Sequence, residues 1–137
     1  MDVIEIERAF TGYVAEKLNL AVDAGIYRGG IPEGVEYGIA VIFGSEIKAT
    51  GFYGFRPRTW NVQILAKFDD RDAAMILQTC LNGLAPSTDF THGGVKFLSI
   101  VPRGSGEPYE AADEGKIKHF VSVNWTVSVL TTGRQIE

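Results

Sequence analysis

Residues 121–129 alternate strictly: Val121, Val123, Trp125, Val127 and Val129 fall on one side, and Ser122, Asn124, Thr126 and Ser128 on the other. Successive side chains of an extended chain point to opposite faces, so this run reads as a strand with one buried and one wet face. Such a strand needs neighbours in a sheet and a second layer over its apolar side, as where helices cover an antiparallel sheet. The rest of the sequence has to supply both.

Two segments supply the cover. Val3, Ile6, Phe10, Tyr13, Val14 and Leu18 recur at three- and four-residue steps, with Glu5, Arg8, Glu16 and Lys17 off the stripe. This predicts an amphipathic helix capped by Asp2 and ending near Leu18 and Asn19. A second helix is expected after Asp69 or Asp70, with Ala73, Ile76, Leu77, Cys80, Leu81 and Leu84 as its apolar stripe and Gly83 and Pro86 closing it. Cys80 then reads as a small core residue.

Partner strands are expected at 26–28, 35–43, 60–68 and 95–101. The run Gly38-Ile39-Ala40-Val41-Ile42-Phe43 is almost wholly apolar and fits a strand covered on both faces. Trp60, Val62, Ile64, Ala66 and Phe68 share one face of the next strand, and Asn61, Gln63 and Lys67 the other. The chain thus reads as a single α+β domain over residues 1–137. It has a four- to five-stranded, largely antiparallel or mixed sheet with two helices packed on one face. Segments 44–59 and 103–117 break the patterns and are expected to be mobile loops. The polar tail from Thr131 onward is expected to fray.

Charge and composition narrow the function. The net charge is −4 across 137 residues, and no segment is strongly basic. Grip on nucleic acid by phosphate neutralisation needs a basic face, so no specific nucleic-acid binding is expected. With one cysteine no intramolecular disulfide can form. No apolar run approaches the ~20 residues of a membrane span, and the acidic start does not suit a secretion signal, so a cytosolic protein is expected. Asn124-Trp125-Thr126 matches a glycosylation sequon, but inside a strand it reads as chance.

A reaction centre is hard to assemble from these residues. His92 lies beside Gly93-Gly94, and His119 lies at the start of the last strand pattern; neither has a second His or Cys at a ligand spacing. Asp69, Asp70 and Asp72 could suggest magnesium, but carboxylates at a helix start are accounted for by capping and the helix dipole. Gly51-Phe52-Tyr53-Gly54 is too bulky for a phosphate cradle, and Arg103-Gly104-Ser105-Gly106 leads into an acidic segment instead of a helix. The chain is therefore read as a non-enzyme without metal or cofactor.

Two segments carry interface chemistry instead. Lys48, Phe52, Tyr53, Phe55, Arg56 and Arg58 lie in a glycine-rich stretch, and aromatics with arginine are enriched in protein interfaces. A hairpin whose aromatics fold back on their own core is an equal alternative. The other segment, from Arg103, places Glu107, Glu110, Asp113 and Glu114 around Tyr109. Opposed charges suggest a head-to-tail contact between the acidic segment of one subunit and the arginine-bearing segment of the next, which closes into a ring if its rotation allows.

The order of these features resembles the tail-terminator and minor-capsid (tail-completion) proteins of tailed bacteriophages and prophages. It is carried by the opening helix, the Ile31-Pro32-Glu33-Gly34 turn, the buried strand, the strand-Asp-Asp-helix unit ending in Leu81-Asn82-Gly83-Leu84, and the acidic stretch 109–115 before the last strand. The resemblance spans nearly the whole chain without a diagnostic signature. It implies a structural homo-oligomer, often a hexameric ring. Such a ring caps the tail tube and meets head-completion proteins, in the host cytoplasm during assembly and then in the virion tail. Six copies at −4 each would carry −24, which suits a ring that does not retain passing DNA. The competing readings are a small-molecule-binding or enzymatic α+β domain and another neck or tail-completion component.

Overall fold

In the computed structural model of the chain, residues 2–47, 56–113 and 115–131 are described, with Arg56, Asp113 and Thr131 through their backbone alone. The carboxylate of Asp2 accepts the Glu5 N–H at 2.9 Å and starts helix α1 (Val3–Leu18). That satisfies one of the donors a helix start leaves free. Asn19, in the left-handed region at φ 58°, ends it. After strands β1 (Ile26–Arg28), β2 (Gly38–Ile47) and β3 (Arg56–Phe68) comes helix α2 (Arg71–Asn82), capped by Asp70, which accepts the Asp72 N–H at 3.1 Å. Strands β4 (Ser87–His92), β5 (Val95–Ser105), β6 (Tyr109–Asp113) and β7 (Lys116–Thr131) complete the described chain.

The sheet runs β1-β2-β3-β7-β5-β4, with β6 also on β7. Only β1 and β2 pair in parallel; the other pairs are antiparallel. β7 is central: β3 pairs with it from Arg56↔Thr131 to Phe68↔His119, while β5 and β6 share its other edge end to end. The sheet therefore has seven strands among the described residues, not four or five. The reason lies in the segments read as loops. Residues 44–47 prolong β2, Arg56 to Arg58 open β3, 103–105 prolong β5, and the acidic stretch forms β6. Strand β4 also escaped notice, because an edge strand with Phe90 among Ser, Thr, Asp and His shows no apolar alternation.

The core lies between the helices and one sheet face. Ile6, Phe10 and Val14 of α1 are fully buried against Trp60, Val62, Ile64, Val123, Trp125 and Val127. Phe10 is its hub, with ring centroids 6.0 Å from Trp125, 5.8 Å from Phe97 and 5.9 Å from Phe43. The Gly93-Gly94 turn joins β4 to β5 with φ of 58° and 79°, the conformation a two-residue hairpin requires. It touches α1 directly: a Cβ at Gly93 would sit 3.2 Å from Cβ of Ala9.

Helix α2 buries Leu81 and packs Leu77 and Leu84 on the core as expected, but it is rotated from the Ala73, Ile76 and Cys80 side of the expected stripe. Ala74 and Leu81 are its buried residues, while Ile76 is 64% exposed and Cys80 is exposed rather than a core residue. The stripe Ala73–Ile76–Cys80 lies about a third of a turn from the buried line. Gln78 accounts for the rotation: its amide donates to the carbonyls of Gly106 and Ser122, each at 3.1 Å. These two hydrogen bonds, the second to a carbonyl that also accepts the Gly106 N–H, outweigh a phasing preference among apolar residues that differ little in size.

The opposite sheet face is only partly wet. Ser122 and Thr126 of β7 are buried there, as are Lys67 and Lys118. Gly106 packs so closely on Ser122 that a Cβ would collide with its hydroxyl, and Arg103 lies over Thr126. Lys118 is 2% exposed and pairs with Asp69, which explains why Asp70 and not Asp69 caps α2.

Candidate subunit interface

The two segments expected to meet between subunits lie differently in the fold. Phe52, Tyr53 and Phe55 fall outside the described residues, as does Glu114. Arg56 begins β3, its backbone paired with Thr131. Arg58, two residues on, is engaged within its own chain. Its Nε and Nη2 donate to the two carboxylate oxygens of Glu46 at 3.1 and 2.9 Å, and its guanidinium lies 4.7 Å from the Trp60 ring centre. That fork geometry ties β2 to β3 across the Phe43/Glu46 bulge.

The pair shifts both titrations. The hydrogen bond from Arg58, aided by its charge against partial burial, holds the Glu46 carboxyl below the usual range, and the bond to Glu46 raises Arg58 in turn. Asp69 is likewise lowered, first by the hydrogen bond from Lys118 and then by the charges of Lys118, Lys116 and Lys67. Both folded-state values lie below the unfolded ones. Their stabilisation is therefore complete above the ordinary carboxylate range near pH 4 and is lost as pH falls through the folded values. Urea midpoints are expected to fall between pH 5 and about pH 2, and Glu46→Gln should remove part of that slope. At neutral pH Glu46→Gln should cost under about 1 kcal/mol, because the pair is largely solvated. Midpoints that hold constant across this range would contradict the assignment.

On the acidic side, Glu107 lies in the connection after β5 and is exposed, as is Glu110 in β6. Tyr109 opens β6 and stacks on Phe120, with ring centroids 5.0 Å apart and planes 8° from parallel. Asp113 ends β6, its backbone paired with Lys116. Glu107, Tyr109 and Glu110 thus lie along the β6 edge beside β7, with Tyr109 and Glu110 on opposite faces of the strand. The fold separates them from Arg58, which lies towards the other end of the β3–β7 ladder.

Arg103 occupies a different setting. Pro102 pairs with Trp125 and Ser105 with Val123, so β5 carries one extra residue between them, and Gly104 takes up the φ of 111°. A bulge of this kind re-aims a side chain. The Nε of Arg103 donates to the Thr126 hydroxyl at 2.7 Å, fixing the guanidinium over the sheet face away from the helices. There it lines a shallow groove of about 270 Å³ with Ile42, Asn61, Gln63 and Asn124. Gln63 pairs directly with Asn124, so two of the three amides stand side by side. A second bulge, at Gly44 and Ser45 of β2, flanks the groove on its far side.

The sequence reading passed over Asn61, Gln63 and Asn124. Each was visible as an outward position of an alternating strand; what was missing was that β3 and β7 are neighbours in this register. Among the described residues no three His, Cys, Asp or Glu side chains gather in a group that could hold a metal ion. His92 lies 3.3 Å from Glu16 and beside Tyr13, whereas His119 sits across from Glu110. No described helix is long and apolar enough to cross a membrane.

This architecture has a solved counterpart. It is similar to a chain in the virion of a native gene transfer agent (GTA) particle. The match covers 86% of this chain and 84% of that one, with a TM-score of 0.51 and 12% sequence identity. At that identity the likeness is one of fold. No protein-family model and no curated protein sequence matches the chain.

Proposed function

We propose that this chain is a structural subunit of a phage or phage-like particle and acts by assembling with other subunits, not by catalysis. The observation that carries the reading is the fold shared, over 86% of the chain, with a component of a GTA virion. The sequence order of a tail-terminator protein points the same way. On the finer reading, copies close head to tail into a hexameric ring that caps the tail tube and meets head-completion proteins. Assembly takes place in the host cytoplasm, and the ring then resides in the virion tail. The surface is suited to such contacts. Tyr37, Ile76, Tyr109 and Ile117 are large apolar side chains left more than half exposed, and apolar surface of this kind marks interaction sites when it is contiguous.

Negative-stain microscopy of the purified chain over a range of concentrations, alone and with tail tubes, tests the proposal. Rings of six, or density capping tube ends, are the expected result. A monomer that ignores tube ends and instead binds a metabolite would overturn it.

A further inference from the structure

We infer that the groove holding Arg103, Asn61, Gln63 and Asn124 binds an acidic peptide segment of a second copy of this chain, the stretch 107–114. The inference deepens the assembly reading and rests on it. The groove's polar chemistry is one-sided: a guanidinium and three primary amides line it, with no carboxylate among its described residues. Amide side chains offer a donor and an acceptor each, the complement of a peptide backbone, and a guanidinium offers forked donors to a carboxylate. The bulge at Arg103 and Gly104 and the bond from Nε to Thr126 fix the arginine at the groove, and that bond leaves its two terminal nitrogens to other partners.

The occupant follows from charge. Glu107, Glu110, Asp113 and Glu114 give 107–114 four carboxylates and no basic residue. Glu107 and Glu110 are exposed, and Tyr109 between them is 51% exposed. Although Arg103 is only four residues before Glu107, among the described residues it bonds to Thr126 and not to Glu107 or Glu110. A complementary pair that one chain does not join is available to two. Arg58, another arginine proposed to meet the acidic stretch, already donates to Glu46. A polynucleotide fits less well, because a single cation lines the groove and the chain carries −4 overall.

The test uses the full chain, isotopically labelled, and a synthetic peptide of residues 107–114. On titration to about 1 mM, the side-chain amide resonances of Asn61, Gln63 and Asn124 and the Nε–H of Arg103 should shift together. Arg103→Gln should weaken binding about tenfold or more, and so should Asn61→Asp, which puts a carboxylate in the groove without touching the Arg103–Thr126 bond. A peptide with its acids replaced by amides should bind equally poorly. Unmoved amide resonances, equal binding of the neutral peptide, unweakened binding by both variants, or tighter binding of single-stranded DNA would each overturn the inference. Binding is read on the isolated chain, so an absence of rings under the microscope and an empty groove are separable results.

Discussion

Replacing Trp125 with alanine is expected to lower stability by about 3–5 kcal/mol, the cost of deleting a large aromatic from a packed core. Trp125 is 1% exposed at the centre of β7 and makes an edge contact with Phe10, the residue through which α1 joins the sheet. Loss of the indole opens a cavity where helix and sheet meet, and the rigid strands on either side limit how far it can collapse. Trp125→Phe should cost far less than the alanine change. Its indole N–H is buried without a hydrogen-bond partner among the described residues, and an orphan donor of this sort costs about 1–3 kcal/mol in lost hydration. Phenylalanine keeps much of the ring volume and removes that donor. Urea melts of the two variants decide the point; equal losses would mean that the orphan donor carries no penalty.

Gly93→Val is the second large effect, expected at about 3 kcal/mol or more. Two causes add. A β-branched residue at φ 58° is strained by about 1–3 kcal/mol, and even a single methyl there meets Ala9 of α1 at 3.2 Å. Gly94, the next residue in the same turn, separates the causes. It has φ 79° but nothing within 4 Å of a would-be Cβ, so Gly94→Ala should show strain without the clash. If Gly94→Ala proves as costly as Gly93→Val, the packing of the turn on α1 is not what matters.

Where one layer covered one face, the sequence was legible. The alternation of 121–129 and 60–68 marked two central strands and their buried sides, and Asp2 and the Asp69-Asp70 pair marked the helix starts, the structure choosing Asp70 of the pair. The misreadings have physical causes. Strand β4 and the ends of β2 and β5 carry glycine and polar residues because they lie at edges or bulges, where backbone pairing needs no apolar pattern. Helix α2 turned on Gln78, whose partners Gly106 and Ser122 are remote in sequence. Of the candidate interface, the acidic stretch and Arg103 were visible as charge. The groove was not, because its amides come together only through the β3–β7 register, and no periodicity in one strand states which strand lies next to it.

The central strand is also the last made of the described strands. Until residues 116–131 have left the ribosome, β3 has no partner on one edge and β5 has none on the side that joins it to the rest of the sheet. A nascent chain can form α1 and the β2–β3 hairpin early, but it cannot unite its two halves. Its final fold waits on pairings as distant as Arg56 with Thr131, which places it among slowly folding, non-local topologies. Products cut short before β7 would carry two long open strand edges, the kind of surface that chaperones and proteases capture. Translation thereby sets a checkpoint: only chains synthesised through β7 can close the sheet and present a finished surface.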